Sequence, residues 1–227
     1  MNTAIIVAAG QGKRFGAEKP KQFLEIHGKP LIIYTLQKFE SCPLIDEIIL
    51  VLPAQETESF TQTAKKYNLK KLSKTVAGGK TRAASVLNGL NAIDAKSAEI
   101  VAVHDGARPL VSVEEITLTM EKAKETGAAC LVANVTDTVK EVADGRIVQT
   151  IDRAKLRRAL TPQCFRYEIL KRAFTENRIG EIVTDECFLV EKLGVEVSIV
   201  EGSARNIKIT TPEDLVLAEV FFRQSNG

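Results

Sequence analysis

Short apolar, largely β-branched runs alternate along the chain with longer segments whose apolar residues recur every three or four positions. Ala4-Ile5-Ile6-Val7-Ala8 predicts a first strand and Ile48-Ile49-Leu50-Val51-Leu52 a second. The absence of any polar member suits parallel strands covered on both faces. Residues 100–103, 128–135 and 195–200 continue the strand series. Between them the helical period predicts helices at 31–40, 56–67, 81–93, 113–126, 155–160, 167–177 and 186–193, with a last one from Pro212. Pro30 sits where a helix start tolerates a residue without an N–H. In the 81–93 segment Ala84, Val86, Leu87, Leu90 and Ile93 make one apolar side. Such alternation implies an α/β, Rossmann-like fold: a mostly parallel twisted sheet, right-handed crossovers and helices on both faces.

One segment departs from this alternation. Residues 139–142 and 146–151 alternate in polarity and flank Asp144-Gly145, a pair that favours the two-residue hairpin turn. A hairpin has no place inside a doubly wound sheet, so it is expected to project as an arm, at about 137–153, from a single domain spanning 1–227.

The chain length of 227 residues suits one such domain. With 31 basic and 29 acidic residues the formal net charge is only +2, which points away from nucleic acid or a membrane surface as partner. No stretch approaches the length of a membrane span, and the N-terminus lacks the basic start and long apolar core of a signal peptide. The four cysteines form no CxxC pair and only His27 and His104 could assist them, so reduced thiols in a cytoplasmic protein are expected rather than a zinc site.

Candidate chemistry begins directly after the first strand, in Ala8-Ala9-Gly10-Gln11-Gly12-Lys13-Arg14-Phe15-Gly16. Glycines let the backbone turn sharply and approach a ligand, and successive bare N–H groups form an anion nest. Lys13, Arg14, Lys19 and Lys21 add cations. At the carboxyl end of a strand this outlines a triphosphate site; a tight βα turn with solvated charges is the plainer alternative. The dinucleotide fingerprint fails because Phe15 takes its third glycine position and Pro53-Ala54 follow the second strand in place of a ribose-binding acid. The Walker loop fails because Lys74 stands where Gly79-Lys80-Thr81 would need its first glycine.

The whole chain resembles the 2-C-methyl-D-erythritol 4-phosphate cytidylyltransferases of the non-mevalonate isoprenoid pathway. An ordered series of blocks carries the likeness: Ala8-Ala9-Gly10 with Gly12 and Arg14, Pro20-Lys21-Gln22, Gly78-Gly79 with Arg82 and Ser85, and His104-Asp105-Gly106-Ala107-Arg108-Pro109. Asp137-Thr138, Asp152-Arg153, Thr161-Pro162-Gln163, Thr184-Asp185-Glu186 and Asn206-Ile207-Lys208 complete it. Lys80 departs from it, standing where some members carry an acidic residue. The resemblance implies CMP transfer from CTP to 2-C-methyl-D-erythritol 4-phosphate with Mg2+. Arg14 and Lys21 would stabilise the transition state, and Arg153 and Lys208 would hold the substrate phosphate. Ala8, Ala9, Gly10, Gly12, Gly79, Ser85, Asp105 and Ala107 would contact CTP. Asp105, Arg108, Thr138 and Thr184 would surround the polyol, with Asp105 the candidate metal contact. The arm would reach a second subunit, making a homodimer.

The residue types suit that chemistry. A phosphomonoester is largely dianionic at neutral pH and needs no general base to become a nucleophile. The difficulty lies in joining two anions, which cations aimed at the reacting oxygens relieve. Plainer roles stand beside these: a turn cap for Asp105, ordinary salt bridges for Arg153 and Lys208, a packed core position for His104 and a helix N-cap for Thr184. A ribitol 5-phosphate cytidylyltransferase is the nearest rival, against which Ala8-Ala9-Gly10 speaks mildly. A non-catalytic nucleotide-binding regulator would have no use for Arg14 and Lys21.

Overall fold

A computed structural model describes residues 1–10, 23–177 and 183–225. Its centre is a seven-stranded sheet built from β1 (Thr3–Val7), β4 (Glu47–Leu52), β5 (Leu72–Ala77), β6 (Ile100–Asp105), β7 (Ala128–Asn134), β10 (Arg157–Arg166) and β11 (Ser198–Glu201). Two short hairpins stand apart from it: β2 (Glu25–Ile26) with β3 (Lys29–Pro30), and β8 (Val139–Ala143) with β9 (Arg146–Ile151). The α-helices among the described residues are α1 (Leu31–Ser41), α2 (Thr57–Lys66), α3 (Arg82–Asn91), α4 (Val113–Thr126), α5 (Tyr167–Glu176), α6 (Glu186–Glu191) and α7 (Pro212–Ser225).

The sheet order is β11-β7-β10-β6-β1-β4-β5, parallel except for β10, which runs antiparallel to both neighbours. The apolar strands divide their residues between two cores. Ala4 and Ile6 face α1 and α4 in a cluster with Ile33, Leu36, Phe39 and Met120. Ile5 faces the other way, with Val86, Leu90, Leu170 and Leu189 of α3, α5 and α6. Two buried faces are the reason β1, β4 and β6 read as unbroken apolar runs.

Residues 155–160 correct the helix expected there. A 3-10 turn covers Arg153–Lys155, and from Arg157 the chain is strand. Arg, Ala and Leu favour helix locally, but the gap between β6 and β7 can be filled only by a strand that pairs with both, and pairing overrides propensity. The edge strand β5, whose sequence LSKTVA mixes polar and apolar residues, has no counterpart among the expected strands.

The arm is present as expected. Asp144 and Gly145 have φ of 50° and 73°, the left-handed pair that a two-residue hairpin turn demands. Val142, Ile147 and Val148 are exposed rather than packed on their own domain. Among the described residues no helix is long and apolar enough to cross a membrane, and all four cysteines are free and buried.

Candidate active site

The strand order reverses at β1: β4 and β5 lie on one side of it and β6 on the other. Parallel α/β sheets place ligands at such a switch point, beyond the carboxyl ends of the strands. Ala8 leaves β1 there, its N–H donating to the Val51 carbonyl at 2.8 Å, and the Gly106 N–H donates to the Val7 carbonyl at 2.8 Å. Gly78 is held by a 2.8 Å bond to the Leu52 carbonyl. A Cβ on Gly78 would stand 2.2 Å from the Ala9 methyl, so only glycine lets the two turns touch. The expected nucleotide residues Ala8, Ala9, Gly78 and Gly79 are thereby brought together. Gly10 is exposed at the start of the glycine loop, while Gly12, Arg14 and Lys21 lie outside the described residues.

Ser85 is buried, and its hydroxyl accepts from the Gly79 N–H at 3.0 Å and donates to the Thr81 carbonyl at 2.9 Å. It shapes the turn from within. The Ala107 methyl packs with Ile26, Leu31 and Ile209, and its carbonyl accepts from the Ile209 N–H at 2.9 Å.

Asp105 is the last residue of β6, and three cations converge on it. Arg82 Nε donates to Oδ1 at 2.9 Å, while Lys208 Nζ lies 2.9 Å and Arg108 Nε 3.5 Å from Oδ2. Burial works to raise the Asp105 pKa, but Arg82, Lys208 and Arg108 outweigh it and hold the carboxyl well below the usual carboxylate range. Arg82 also grips Glu186 with Nη1, at 2.7 and 2.9 Å from the two carboxylate oxygens. Three cations on two carboxylates leave the cluster positively charged, as a site for an anionic substrate requires.

His104 supports this cluster from behind. Its Nε2 lies 3.1 Å from the Arg108 carbonyl, which can only accept, so Nε2 carries the proton. Nδ1 then accepts from the Thr161 hydroxyl at 3.0 Å, and the hydroxyl oxygen accepts from the Asp105 N–H at 3.1 Å. Burial drives the imidazole down to about 3, and the ring packs on Phe39, the core role expected for it. Because the unfolded chain takes up a proton at ordinary histidine pKa while the folded chain refuses it, stability rises with pH between those two values. From pH 7 to pH 5 the parent should lose about 2 kcal/mol more than His104→Gln, measured by urea unfolding at each pH.

Arg153, Thr138 and Thr184 are not among the cations and partners that hold Asp105. Arg153 is exposed at the foot of β9, where its guanidinium donates to the Thr136 carbonyl. Thr138 is exposed at the foot of β8. Thr184 is exposed before α6 and is not its cap: the Asp185 side chain accepts from the Phe188 N–H at 3.0 Å. An aspartate at that position serves, leaving the threonine hydroxyl for other use. Glu186 stands in the Thr184-Asp185-Glu186 block, but the sequence alone assigns it no role. A signal was there in Arg82, a cation on the first turn of a helix, where the dipole disfavours it and a buried anion is called for.

Known proteins match this chain over nearly its whole length. The family model described as 2-C-methyl-D-erythritol 4-phosphate cytidylyltransferase matches residues 2–224. The enzyme of that name from Clostridium perfringens is 46% identical over 222 residues, covering 97% of this chain and 98% of its own. The one from Bacillus licheniformis is 47% identical over 221 residues, covering 96% and 95%. The crystal structure of 4-diphosphocytidyl-2C-methyl-D-erythritol synthase from Anaerococcus prevotii superposes with a TM-score of 0.87 at 30% identity, covering 98% of this chain and 96% of that one. The sheet, the detached hairpin and nearly full-length relatives all agree, and the chain belongs to the 2-C-methyl-D-erythritol 4-phosphate cytidylyltransferases, nucleotidyltransferases of isoprenoid precursor synthesis.

Proposed function

We propose that cytidylyl transfer takes place in the crevice between the ends of β1 and β6, with CTP along the Ala8-Ala9-Gly10 and Gly78-Gly79 turns. The polyol phosphate lies beside Asp105, Arg108 and Lys208. The convergence of three cations on Asp105 carries this reading. A phosphate oxygen of the polyol attacks the α-phosphorus of CTP, forming the new P–O bond as the bond to pyrophosphate breaks. The nucleophile arrives already ionised, so the protein's task is to hold two anions together. Lys208 and Arg108 draw in the polyol phosphate, Asp105 keeps them aligned and can accept from a hydroxyl, and Arg14 and Lys21 act on the triphosphate side.

The described side chains do not form a metal cage. No group of three His, Cys, Asp or Glu among them could hold an ion, and both Asp105 oxygens are already engaged by cations. In this proposal Mg2+ belongs to the CTP phosphates, whose charge it offsets, and not to Asp105.

The assembly is a homodimer joined through the arm. A lone two-stranded hairpin is marginal in water, and Val142, Ile147 and Val148 are 66, 65 and 58% exposed. A second copy is the simplest cover, and it would carry Thr138 and Arg153 to the pocket of its neighbour.

The enzymatic test is pyrophosphate release with CTP, UTP, ATP and GTP, using methylerythritol 4-phosphate and ribitol 5-phosphate in turn, with and without chelator. CTP with methylerythritol 4-phosphate should be preferred, and chelator should stop the reaction. Equal rates with purine nucleotides, or full activity in chelator, would overturn the proposal.

A further inference from the structure

Resting on the site reading above, we propose that Glu186 is a positioning residue for cytidylyl transfer: its buried carboxylate holds Arg82 so that Arg82 braces Asp105 from one side only. Glu186 has no exposed surface, and Arg82 Nη1 reaches both of its carboxylate oxygens, at 2.7 and 2.9 Å. With that end of the guanidinium committed, only Arg82 Nε is given to Asp105, at Oδ1. Oδ2 remains for Lys208 and Arg108, the cations that face the polyol phosphate.

Several elements hold Glu186 where this works. The Gln163 side-chain carbonyl on β10 accepts from the Glu186 and Cys187 N–H groups, each at 3.1 Å, and Gln163 Nε2 donates to Asp185 Oδ2 at 2.9 Å. Asp185 in turn caps α6. At the other end Arg82 opens α3 directly after the Gly78-Gly79 turn, with Thr81 capping that helix by accepting from the Ala84 N–H. The Arg82–Glu186 pair thus ties the nucleotide turn, the end of β6 and the start of α6 into one unit. Without the Glu186 charge, an Arg82 side chain still largely buried would have one anion left to pair with. It would turn both guanidinium arms onto Asp105 and compete with Lys208 and Arg108 for that carboxylate.

The test compares kcat and KM for Asp105→Asn, Glu186→Gln, Arg82→Gln and the Glu186→Gln/Arg82→Gln double variant, with the fold checked by near-UV circular dichroism. Glu186→Gln keeps the shape and removes the charge. It should lower kcat/KM about 10–100-fold, the scale found when a partner that orients a working group is lost, with KM for the polyol phosphate rising more than KM for CTP. Because Glu186 acts through Arg82, the double variant should be no worse than Arg82→Gln alone. Turnover of Glu186→Gln within twofold of the parent, or losses that multiply in the double variant, would overturn the proposal. Should Glu186→Gln fail to fold, the double variant, which removes both charges together, decides by the same comparison with Arg82→Gln. An active Asp105→Asn variant sinks the site reading itself, whereas an inactive one beside a fully active Glu186→Gln sinks only the role of Glu186.

Discussion

Arg14→Ala and Lys21→Ala should each lower kcat/KM by about 10²–10³, the loss expected when a donor aimed at developing charge is removed. Ala9, just before their segment in the sequence, lies against Gly78, and Phe23, just after it, packs against the main core and the Phe60 ring. In the proposed mechanism the two cations act on the triphosphate of CTP. Charge accumulates on the α-phosphorus oxygens and on departing pyrophosphate during the reaction, so interactions there strengthen towards the transition state. Most of the loss should fall in kcat. Steady-state kinetics with saturating polyol phosphate, on variants whose circular dichroism matches the parent, provides the check. A variant with near-parental turnover removes its residue from the mechanism.

Activity should return when two dead variants are mixed. Arg153→Ala and Lys208→Ala each damage the polyol-phosphate pocket, but by this proposal they damage it from different chains. Within one chain Lys208 bonds to Asp105, whereas Arg153 bonds to the Thr136 carbonyl at the arm's foot. After subunit exchange, random pairing makes half the dimers mixed, and each mixed dimer carries one site with both residues intact. About a quarter of parental activity per site is therefore expected, following from the two-fold symmetry of the assembly. Absence of rescue despite proven exchange would assign both residues to one chain's site, and a monomer by sedimentation would remove the shared pocket altogether.

Local pattern carried a great deal of this. Apolar runs marked β1, β4 and β6 because strands buried on both faces are mostly apolar, and Asp144-Gly145 marked the arm because few other pairs accept two left-handed residues in succession. The loop after β1 was visible as glycines and cations at a strand end, and the blocks around Gly78, Asp105 and Lys208 through the family resemblance. Other features depended on the assembled fold. Residues 157–160 are strand only because β6 and β7 flank them, a constraint no local window contains. The cap of α6 passed from Thr184 to Asp185, where Gln163 from β10 fastens the same aspartate. Above all, the grip of Glu186 on Arg82 joins positions 104 residues apart. Their pairing follows from the packing of α3 and α6 on the same face of the sheet, because a buried charge is tolerated only where the fold delivers its counter-charge.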